Sequence, residues 1–284
     1  MITPYWSDDM VTLYHGDCRD ILPQLDLRAD CAVADPPYEE TLLGWDRWPT
    51  GWLEAVAAVT DSMWCFLPLR QFAEPPYRGQ EFRAAGWKLS HDVEPDWNSQ
   101  HDHVTWEKHN GSGFVKDRFR RVHEPASHWY RGKWSAVHHE VPRVPAVHRR
   151  GGQNFVRQQP AHTGAVAGRG YADDGLRLMR SVLHVRNVNG RAIHPTEKPV
   201  PLLEPLIRYG CPPGGLVVDP CAGSCSTGVA ARLAGCRSIL IEGDEAMCEK
   251  AVTHRLSRVD AGVPDNVLGG QGDVPDLFSL GGAA

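Results

Sequence analysis

The tetrapeptide Asp35-Pro36-Pro37-Tyr38 contains the residue types that could activate an aromatic exocyclic amine. Such an amine is a poor nucleophile, because its lone pair is delocalised into the ring. A carboxylate and a carbonyl that accept its two N–H bonds would draw the nitrogen toward tetrahedral geometry. Asp35 offers the carboxylate and Pro36 the carbonyl, whose orientation is fixed because both proline φ angles are locked. Tyr38 could stack on a base swung out of its duplex. Taken alone, the tetrapeptide also fits a plain strand-ending turn with an exposed tyrosine.

The residues before this tetrapeptide predict where it lies. Cys31–Ala34 is a short apolar run that predicts a buried strand, and ligands of open α/β sheets bind outside the carboxyl ends of strands. A similar stretch, Glu74-Pro75-Pro76-Tyr77, follows no convincing strand, and a glutamate would place its carboxylate one methylene too far. We interpret that second stretch as a turn before a helix at Gln80–Ala85.

A second motif, running from Val217 to Gly228, fits a strand, a glycine-containing turn and a helix. Glu242 follows about one βαβ unit later, where an acidic side chain can bind ribose hydroxyls. Cys225 replaces the glycine that admits a pyrophosphate in NAD enzymes, whereas S-adenosylmethionine has no pyrophosphate and tolerates a small Cβ there. A tight structural turn is the alternative for this segment. The predicted cofactor contacts here are Asp219, Pro220, Cys221, Ala222, Gly223, Ser224, Thr227 and Glu242.

A third motif, His194-Pro195-Thr196-Glu197-Lys198-Pro199, precedes an apolar helix predicted at 201–209. Thr196 and Lys198 offer donors for a carboxylate, such as the methionine end of the cofactor. Thr196 could equally be the N-cap of the helix, with a proline in its first turn. We add His194, Thr196 and Lys198 to the predicted cofactor contacts.

The charge distribution predicts a polyanionic partner, a nucleic acid. The whole chain has a net charge of −5, but residues 108–191 hold sixteen Lys and Arg against five Asp and Glu, which makes this segment +11. A basic block of this kind, interspersed with aromatic side chains, is typical of a nucleic-acid-binding surface. A solvated basic face without a partner is the alternative. The predicted DNA contacts are Lys108, Arg118, Arg120, Arg121, Arg131 and Lys133.

The composition indicates a soluble α/β protein and excludes several classes. The 284 residues suit one large domain or a domain with an insert, and no apolar run approaches the roughly 18 residues of a membrane span. We expect neither a secretory signal nor a membrane segment, and the eight cysteines show no disulfide framework, which favours a cytoplasmic location. Histidines and cysteines do not occur at zinc-binding spacing, so we predict no metal site.

Together the three motifs resemble the DNA amino-methyltransferases of restriction–modification and phage systems, which modify adenine N6 or cytosine N4. The resemblance covers about residues 11–258, and its motif order is similar to the β arrangement of the family. It also includes His15-Gly16-Asp17-Cys18, which implies that Asp17 and Cys18 approach the cofactor. Trp106-Glu107-Lys108 and His123-Glu124 resemble positions that frame the recognition region. The family's usual DPFAGSGTTG differs here at Cys221, Cys225 and Ser226.

The resemblance implies a Rossmann-like methyltransferase fold with a circularly permuted motif order. Residues 1–107 would be the first part of the catalytic domain, 108–191 a loop-rich target-recognition insert, 192–259 the second part and 260–284 a flexible tail. The implied activity is methyl transfer from S-adenosylmethionine to adenine N6 in DNA, catalysed by Asp35, Pro36, Pro37 and Tyr38. Cytosine N4, a methyl-inactive DNA-binding regulator, and an RNA or protein methyltransferase are the alternatives. The resemblance leaves open a homodimer and a restriction endonuclease partner.

Overall fold

The computed structural model describes residues 2–68, 70–71, 77–90, 103–108, 116–117, 119–146, 174–188 and 190–259. The strands within these ranges are β1 Trp6–Ser7, β2 Val11–His15, β3 Cys31–Ala34, β4 Ser62–Phe66, β5 Lys88–Leu89, β6 His103–Glu107, β7 His123–Tyr130, β8 Arg143–Pro145, β9 Leu176–Leu178, β10 Val182–His184, β11 Leu216–Asp219 and β12 Arg237–Glu242. The α-helices are α1 Cys18–Ile21, α2 Trp52–Val59, α3 Arg78–Ala84, α4 Val200–Gly210, α5 Ser226–Leu233, α6 Glu245–Ala251 and α7 Ser257–Val259.

Ten of these strands form one mixed sheet. Its order is β1-β2-β12-β11-β3-β4-β7-β6-β10, and β5 pairs with β7 beside β6. The strands from β2 to β4 in this order are mutually parallel, whereas β7 is antiparallel to β4 and to β6. Strands β8 and β9 form a separate two-stranded sheet.

The two central parallel strands β3 and β4 are buried on both faces, and their residues are almost all apolar. Every residue of β3 and of β4 is buried, as expected for strands that helices cover on both sides. One face packs against α4 and α5, and the other packs against α1, α2 and Phe82 of α3. Each large apolar side chain buried in this way stabilises the fold by about 1.5–3 kcal/mol. The sheet is therefore a rigid platform for whatever follows its strands.

Strands β3 and β11 are neighbours although they belong to distant parts of the chain, with Val218 opposite Ala32. After β3 the chain passes through α2 to β4, and after β11 it passes through α5 to β12, so the two connections diverge from this point. Such a switch point opens a crevice outside the carboxyl ends of the strands. Asp35 directly follows β3, and Asp219 is the last residue of β11.

The structure confirms the α/β fold class and the predicted elements that flank the motifs. Helix α6 ends at Ala251, and a π-helical turn, Val252–Leu256, follows it. The 108–191 block also differs from the loop-rich expectation, since β7 and β10 are strands of the main sheet. The tail 260–284 and Glu74–Pro76 lie outside the described residues. No helix within the described ranges is long and apolar enough to cross a membrane.

Candidate active site

The carboxylate of Asp35 is held by two donors from different parts of the chain. The Tyr38 hydroxyl donates to Oδ1, and the Lys198 ammonium donates to Oδ2. The Asp35 side chain is 21% exposed and that of Lys198 is 9% exposed, so the pair opens toward solvent only on the aspartate side. Burial, and then the neighbouring charge of Asp35, raises the pKa of Tyr38 well above its ordinary value. Tyr38 is therefore a neutral donor.

Lys198 also connects Asp35 to a second carboxylate, that of Glu124 on β7. Its Nζ lies 3.7 Å from Glu124 Oε2, and Lys108 donates to the other oxygen of the same group. Burial alone would raise the pKa of Glu124, but the charges of Lys198 and Lys108 leave it below the ordinary glutamate value. Burial would likewise lower the pKa of Lys198, but Asp35 and Glu124 leave it raised. The four side chains form an alternating chain of charges.

This network places two residues differently from their predicted roles. Lys198 was predicted as a cofactor contact, and its ammonium is bound to the Asp35 carboxylate. Lys108 was predicted as a DNA contact, but its ammonium is bound to Glu124 and lies 4.6 Å from the centre of the Trp106 ring. Glu124 was noticed only through the family resemblance, as a position framing the recognition region.

A single carboxylate fixes the backbone after the tetrapeptide. Asp46 accepts hydrogen bonds from four successive backbone amides at 2.6–2.9 Å, those of Tyr38, Glu39, Glu40 and Thr41. Burial would raise the pKa of Asp46, but these bonds leave it below the ordinary value. Asp46 therefore holds Tyr38 in place for its contact with Asp35. Sequence reasoning did not identify this residue.

The glycine-containing turn after β11 lies one strand away from Asp35. Gly223 has a positive φ of 48°, and Cys225 has a φ of 60°, a left-handed conformation that favours glycine. The cysteine therefore stands where a glycine would be unstrained, at a cost of about 1–2 kcal/mol. Gly228 packs closely on the sheet, since a Cβ there would lie 2.7 Å from Leu240 Cδ1. Both outer glycines of the fingerprint thus have a structural reason.

Asp219, at the start of this turn, is a buried carboxyl group. Burial raises its pKa to about 7, although hydrogen bonds from the Thr227 side chain and the Cys221 amide oppose the shift. The Cys221 amide lies 3.0 Å from Asp219 Oδ1. Near neutral pH the group is consequently only partly ionised, and it organises the turn rather than offering an open charge.

Glu242, at the end of β12, faces the same turn. Its Oε2 accepts from the Gly223 amide at 2.7 Å, and its Oε1 accepts from the Asp244 amide at 2.8 Å. The side chain is half-buried at the carboxyl edge of the sheet. This location is the one in which an acidic residue can bind the hydroxyls of a ribose.

The turn after β2 brings the next predicted residues to the same edge. The Gly16 amide donates to the Glu242 carbonyl at 2.9 Å, so Asp17 begins α1 next to the end of β12. Hydrogen bonds from Arg19 hold the pKa of Asp17 below its usual range. The buried thiol of Cys18 lies against Cys221, and this contact together with burial raises the pKa of Cys221. The two turns therefore meet.

The HPTEKP stretch closes the remaining side. His194 lies over Gly223, whose Cβ, if present, would be 3.6 Å from the imidazole ring, and Thr196 Oγ1 is 3.2 Å from His194 Nδ1. Glu197 anchors the stretch, because its Oε1 pairs with the buried Arg255 at 2.5 Å. Arg255 belongs to the π-helical turn, a feature that often occurs at functional sites. The structure thus brings together the catalytic tetrapeptide and all three predicted cofactor segments.

The remaining predicted cofactor residues are interior parts of the turn. Pro220 is buried, Ala222 donates its amide to Ile241, and Ser224 Oγ is 2.9 Å from Ser226 Oγ. Pro36 and Pro37 connect β3 to Tyr38 and are buried and half-buried. In the described ranges no group of three or more His, Cys, Asp or Glu is placed to hold a metal ion.

The predicted DNA contacts do not form one surface. Arg120 and Arg121 are exposed directly before β7, at the carboxyl edge where Asp35 lies. Arg131 and Lys133 follow β7 at the opposite edge, because this eight-residue strand runs antiparallel to β4. Arg131 donates to the Ala57 carbonyl at 2.7 Å. Arg118 lies outside the described residues.

A family model described as DNA methylase matches residues 29–253 of this chain. Two proteins are similar to it in sequence. The YubD protein of Escherichia coli (strain K12) is 54% identical over 54 residues, which cover 19% of this chain and 24% of that protein, so the match spans about a quarter of that relative. Type II methyltransferase M1.MboII of Moraxella bovis is 24% identical over 245 residues, covering 78% of this chain and 88% of that protein.

Two solved structures share the fold. The crystal structure of the M1.HpyAVI–SAM complex has a TM-score of 0.56 and 21% sequence identity, covering 87% of this chain and 100% of that chain. The cytosine-N4-specific PvuII DNA methyltransferase has a TM-score of 0.56 and 14% identity, covering 95% of this chain and 96% of that chain. Identities this low show a common fold and no more.

Proposed function

We propose, from the premise that this chain belongs to the DNA methylase family, that it transfers a methyl group from S-adenosylmethionine to the N6 amine of adenine in double-stranded DNA. The observation that carries the proposal is the pairing of β3 with β11, which sets the Asp35 carboxylate one strand from the Gly223 turn. The turn, Glu242 and Asp17 offer backbone amides and carboxylates at one edge. These groups fit a ligand that has a ribose and no pyrophosphate.

The residues of the tetrapeptide would act by holding and polarising the amine. A carboxylate has about four lone-pair sites, and Tyr38 and Lys198 use two of those on Asp35. An N–H of the target amine can therefore bind Asp35 without displacing either donor, while the Pro36 carbonyl accepts the second N–H. The bound cofactor supplies an electrophilic sulfonium methyl. The nitrogen gains the bond to the methyl carbon as the carbon–sulfur bond breaks, and it then loses one proton to water.

By analogy with the family, the aspartate that begins the tetrapeptide favours adenine over cytosine as the target base. Cytosine N4 is the alternative, and the PvuII enzyme with the same fold is named as specific for it. Methylation-aware sequencing of DNA from cells expressing the chain tests both, because it reports the modified base and its sequence context. Methylated adenine at a constant motif is the expected result. Methylated cytosine would replace the base assignment, and unmodified DNA would leave the DNA-binding regulator as the better hypothesis.

Glu242→Ala is expected to weaken S-adenosylmethionine binding about ten- to a hundredfold, because a charged acceptor contributes about 1.5–3 kcal/mol. Isothermal titration calorimetry measures the change. Glu249→Ala, an exposed carboxylate removed from the neighbouring helix α6, is the matched control and should bind normally. Unchanged affinity in Glu242→Ala would remove this residue from the cofactor site.

Neutralising Arg120 and Arg121 together is expected to weaken DNA binding and to flatten its salt dependence by about one unit of slope for each phosphate that the protein no longer neutralises. The physical reason is that each arginine bound to a phosphate releases counterions from the duplex. Fluorescence anisotropy over a range of salt concentrations gives the slope. Lys133→Ala, which removes an exposed charge at the opposite edge of the sheet, should leave the slope unchanged. The reverse pattern would move the DNA surface to that edge.

A further inference from the structure

The segment Glu39–Asp46, here called the post-catalytic loop, exposes apolar side chains immediately after the catalytic tetrapeptide. Leu42 is fully exposed at 106%, Leu43 is 44% exposed and Trp45 is 43% exposed. Isolated exposed apolar residues are ordinary, but three within four residues form a patch that usually marks an interaction site. The question is what this patch contacts.

The loop is held in place rather than left to fold back on the domain. The Asp46 carboxylate ties the end of the loop to four amides at its beginning. Ion pairs brace the outer side, with Arg78 at 2.6 Å from Glu39 and Arg70 at 2.7 Å from Glu40. A loop with this many bonds at its base presents its tip in a defined position, so the exposure of Leu42 is a property of the folded state.

The tip carries no charge that would repel DNA. Its residues from Thr41 to Trp45 are all uncharged. At the base of the loop Glu39 and Glu40 are each paired with an arginine, and the Asp46 carboxylate is bound by backbone amides of the loop itself. An uncharged apolar tip suits close approach to stacked bases between two phosphate strands.

The loop also lies at the opening of the active site. Its first residues follow Tyr38, whose hydroxyl holds Asp35. At its other end the Trp45 ring is 5.3 Å from the His194 ring, which in turn covers Gly223 of the cofactor turn. The loop therefore spans from the Asp35 carboxylate to the side of the Gly223 turn.

We infer that Leu42 and Leu43 form an apolar wedge that enters the duplex beside the target base and fills the space that the base leaves when it swings out. This inference rests on the proposed function and names a positioning role within it. Extruding a base costs a few kcal/mol of pairing and stacking, and apolar side chains inserted between base steps replace part of that stacking. The wedge would thus act on the base-flipping equilibrium and leave the methyl transfer step itself unaffected.

The test compares Leu42→Ala with the unaltered protein on two duplexes that hold the methylated site found by sequencing. In one duplex the target base is paired, and in the other it faces a mismatched base, which makes extrusion cheaper. Single-turnover incorporation of tritiated methyl groups is expected to fall about tenfold on the paired duplex, and by less than about twofold on the mismatched one. A purely structural effect of the substitution would lower the rate on both duplexes equally. Recovery of the rate on the mismatched duplex therefore distinguishes a role in base extrusion from a structural one.

Leu233→Ala, which truncates an exposed leucine at the end of α5, is the matched control and should change neither rate. An equal loss on both duplexes, or no loss on either, would overturn the wedge while leaving the proposed methyl transfer intact. A change in sedimentation coefficient of Leu42→Ala without a change in the paired-to-mismatched ratio would assign the patch to contacts between copies of the chain, and would overturn it too. If the unaltered protein modifies neither duplex, the proposed function has failed instead.

Discussion

Asp35→Ala is expected to lower the rate of methyl transfer about a hundred- to a thousandfold and to leave S-adenosylmethionine binding nearly unchanged. The loss of rate has this size because one preorganised hydrogen-bonding group is removed from the reacting centre. The two functions are separable because Asp35 follows β3, whereas the cofactor turn follows β11 and Glu242 ends β12. Tritiated methyl incorporation measures the first function, and calorimetry with the cofactor alone measures the second.

Two controls make this result specific to the site. Asp26→Ala removes an exposed carboxylate from the connection that leads to β3, and it should leave both readouts unchanged. Tyr38→Ala should raise the activation free energy of methyl transfer by about 1–3 kcal/mol, because the base loses its stacking partner. Tyr77→Ala, at the end of the similar stretch Glu74–Tyr77, should have little effect. Near-normal transfer by Asp35→Ala, or a loss confined to Tyr77→Ala, would mean that residues 35–38 are not the active site.

Lys198→Met is expected to lower the free energy of unfolding by about 3–5 kcal/mol near neutral pH, because it removes the buried cation that the Asp35 and Glu124 carboxylates share. Lys198 is 9% exposed and contacts both Asp35 and Glu124, so water cannot replace it fully. Urea denaturation of both proteins gives the difference. Lys250→Met, an exposed lysine on α6, should change stability by no more than about 0.5 kcal/mol.

The pH dependence of this loss has a definite sign. In the unaltered protein the pKa of Glu124 is lowered, so its contribution is present above the ordinary glutamate value of 4.5 and disappears as the pH falls through the folded-state pKa. In Lys198→Met, the effect of burial on the pKa of Glu124 is opposed by Lys108 and Arg121 alone, and the carboxyl group is easier to protonate. The stability difference between the two proteins should therefore shrink as the pH falls below 4.5. A difference that stays constant down to acid pH would mean that poorer packing, and not charge, causes the effect.

The sequence predicted the parts of the site that local patterns encode. Cys31–Ala34 and Leu216–Val218 are uninterrupted apolar runs, each followed by turn residues, and both are strands with predicted site residues at their carboxyl ends. The strand, turn and helix predicted from Val217 onward agree with β11 and α5, since a glycine-containing turn precedes an apolar face. Short-range periodicity is sufficient where a strand is buried on both faces.

Long-range partners were not predictable in this way. Lys198 and Asp35 are 163 residues apart, and no local pattern distinguishes a lysine that binds a cofactor carboxylate from one that binds an aspartate. Strand β7 contains Pro125, Ser127 and His128 among its residues and shows no apolar alternation, so its sequence resembles a loop. The direction of β7 then decides that Arg131 lies far from Asp35, which charge counting cannot detect.

The pairing of β3 with β11 also sets an order of events during protein synthesis. A ribosome adding about 5–20 residues per second makes Asp219 roughly 10–40 s after Asp35. Throughout this interval β3 has been made without the neighbour that covers one of its edges, and an uncovered, apolar strand edge is prone to pair with other chains. We therefore expect the edge of β3 to be open to wrong pairing until the last strands emerge. A molecule synthesised only as far as β10 has Asp35 but lacks the Gly223 turn and Glu242, so we expect it to be inactive in methyl transfer.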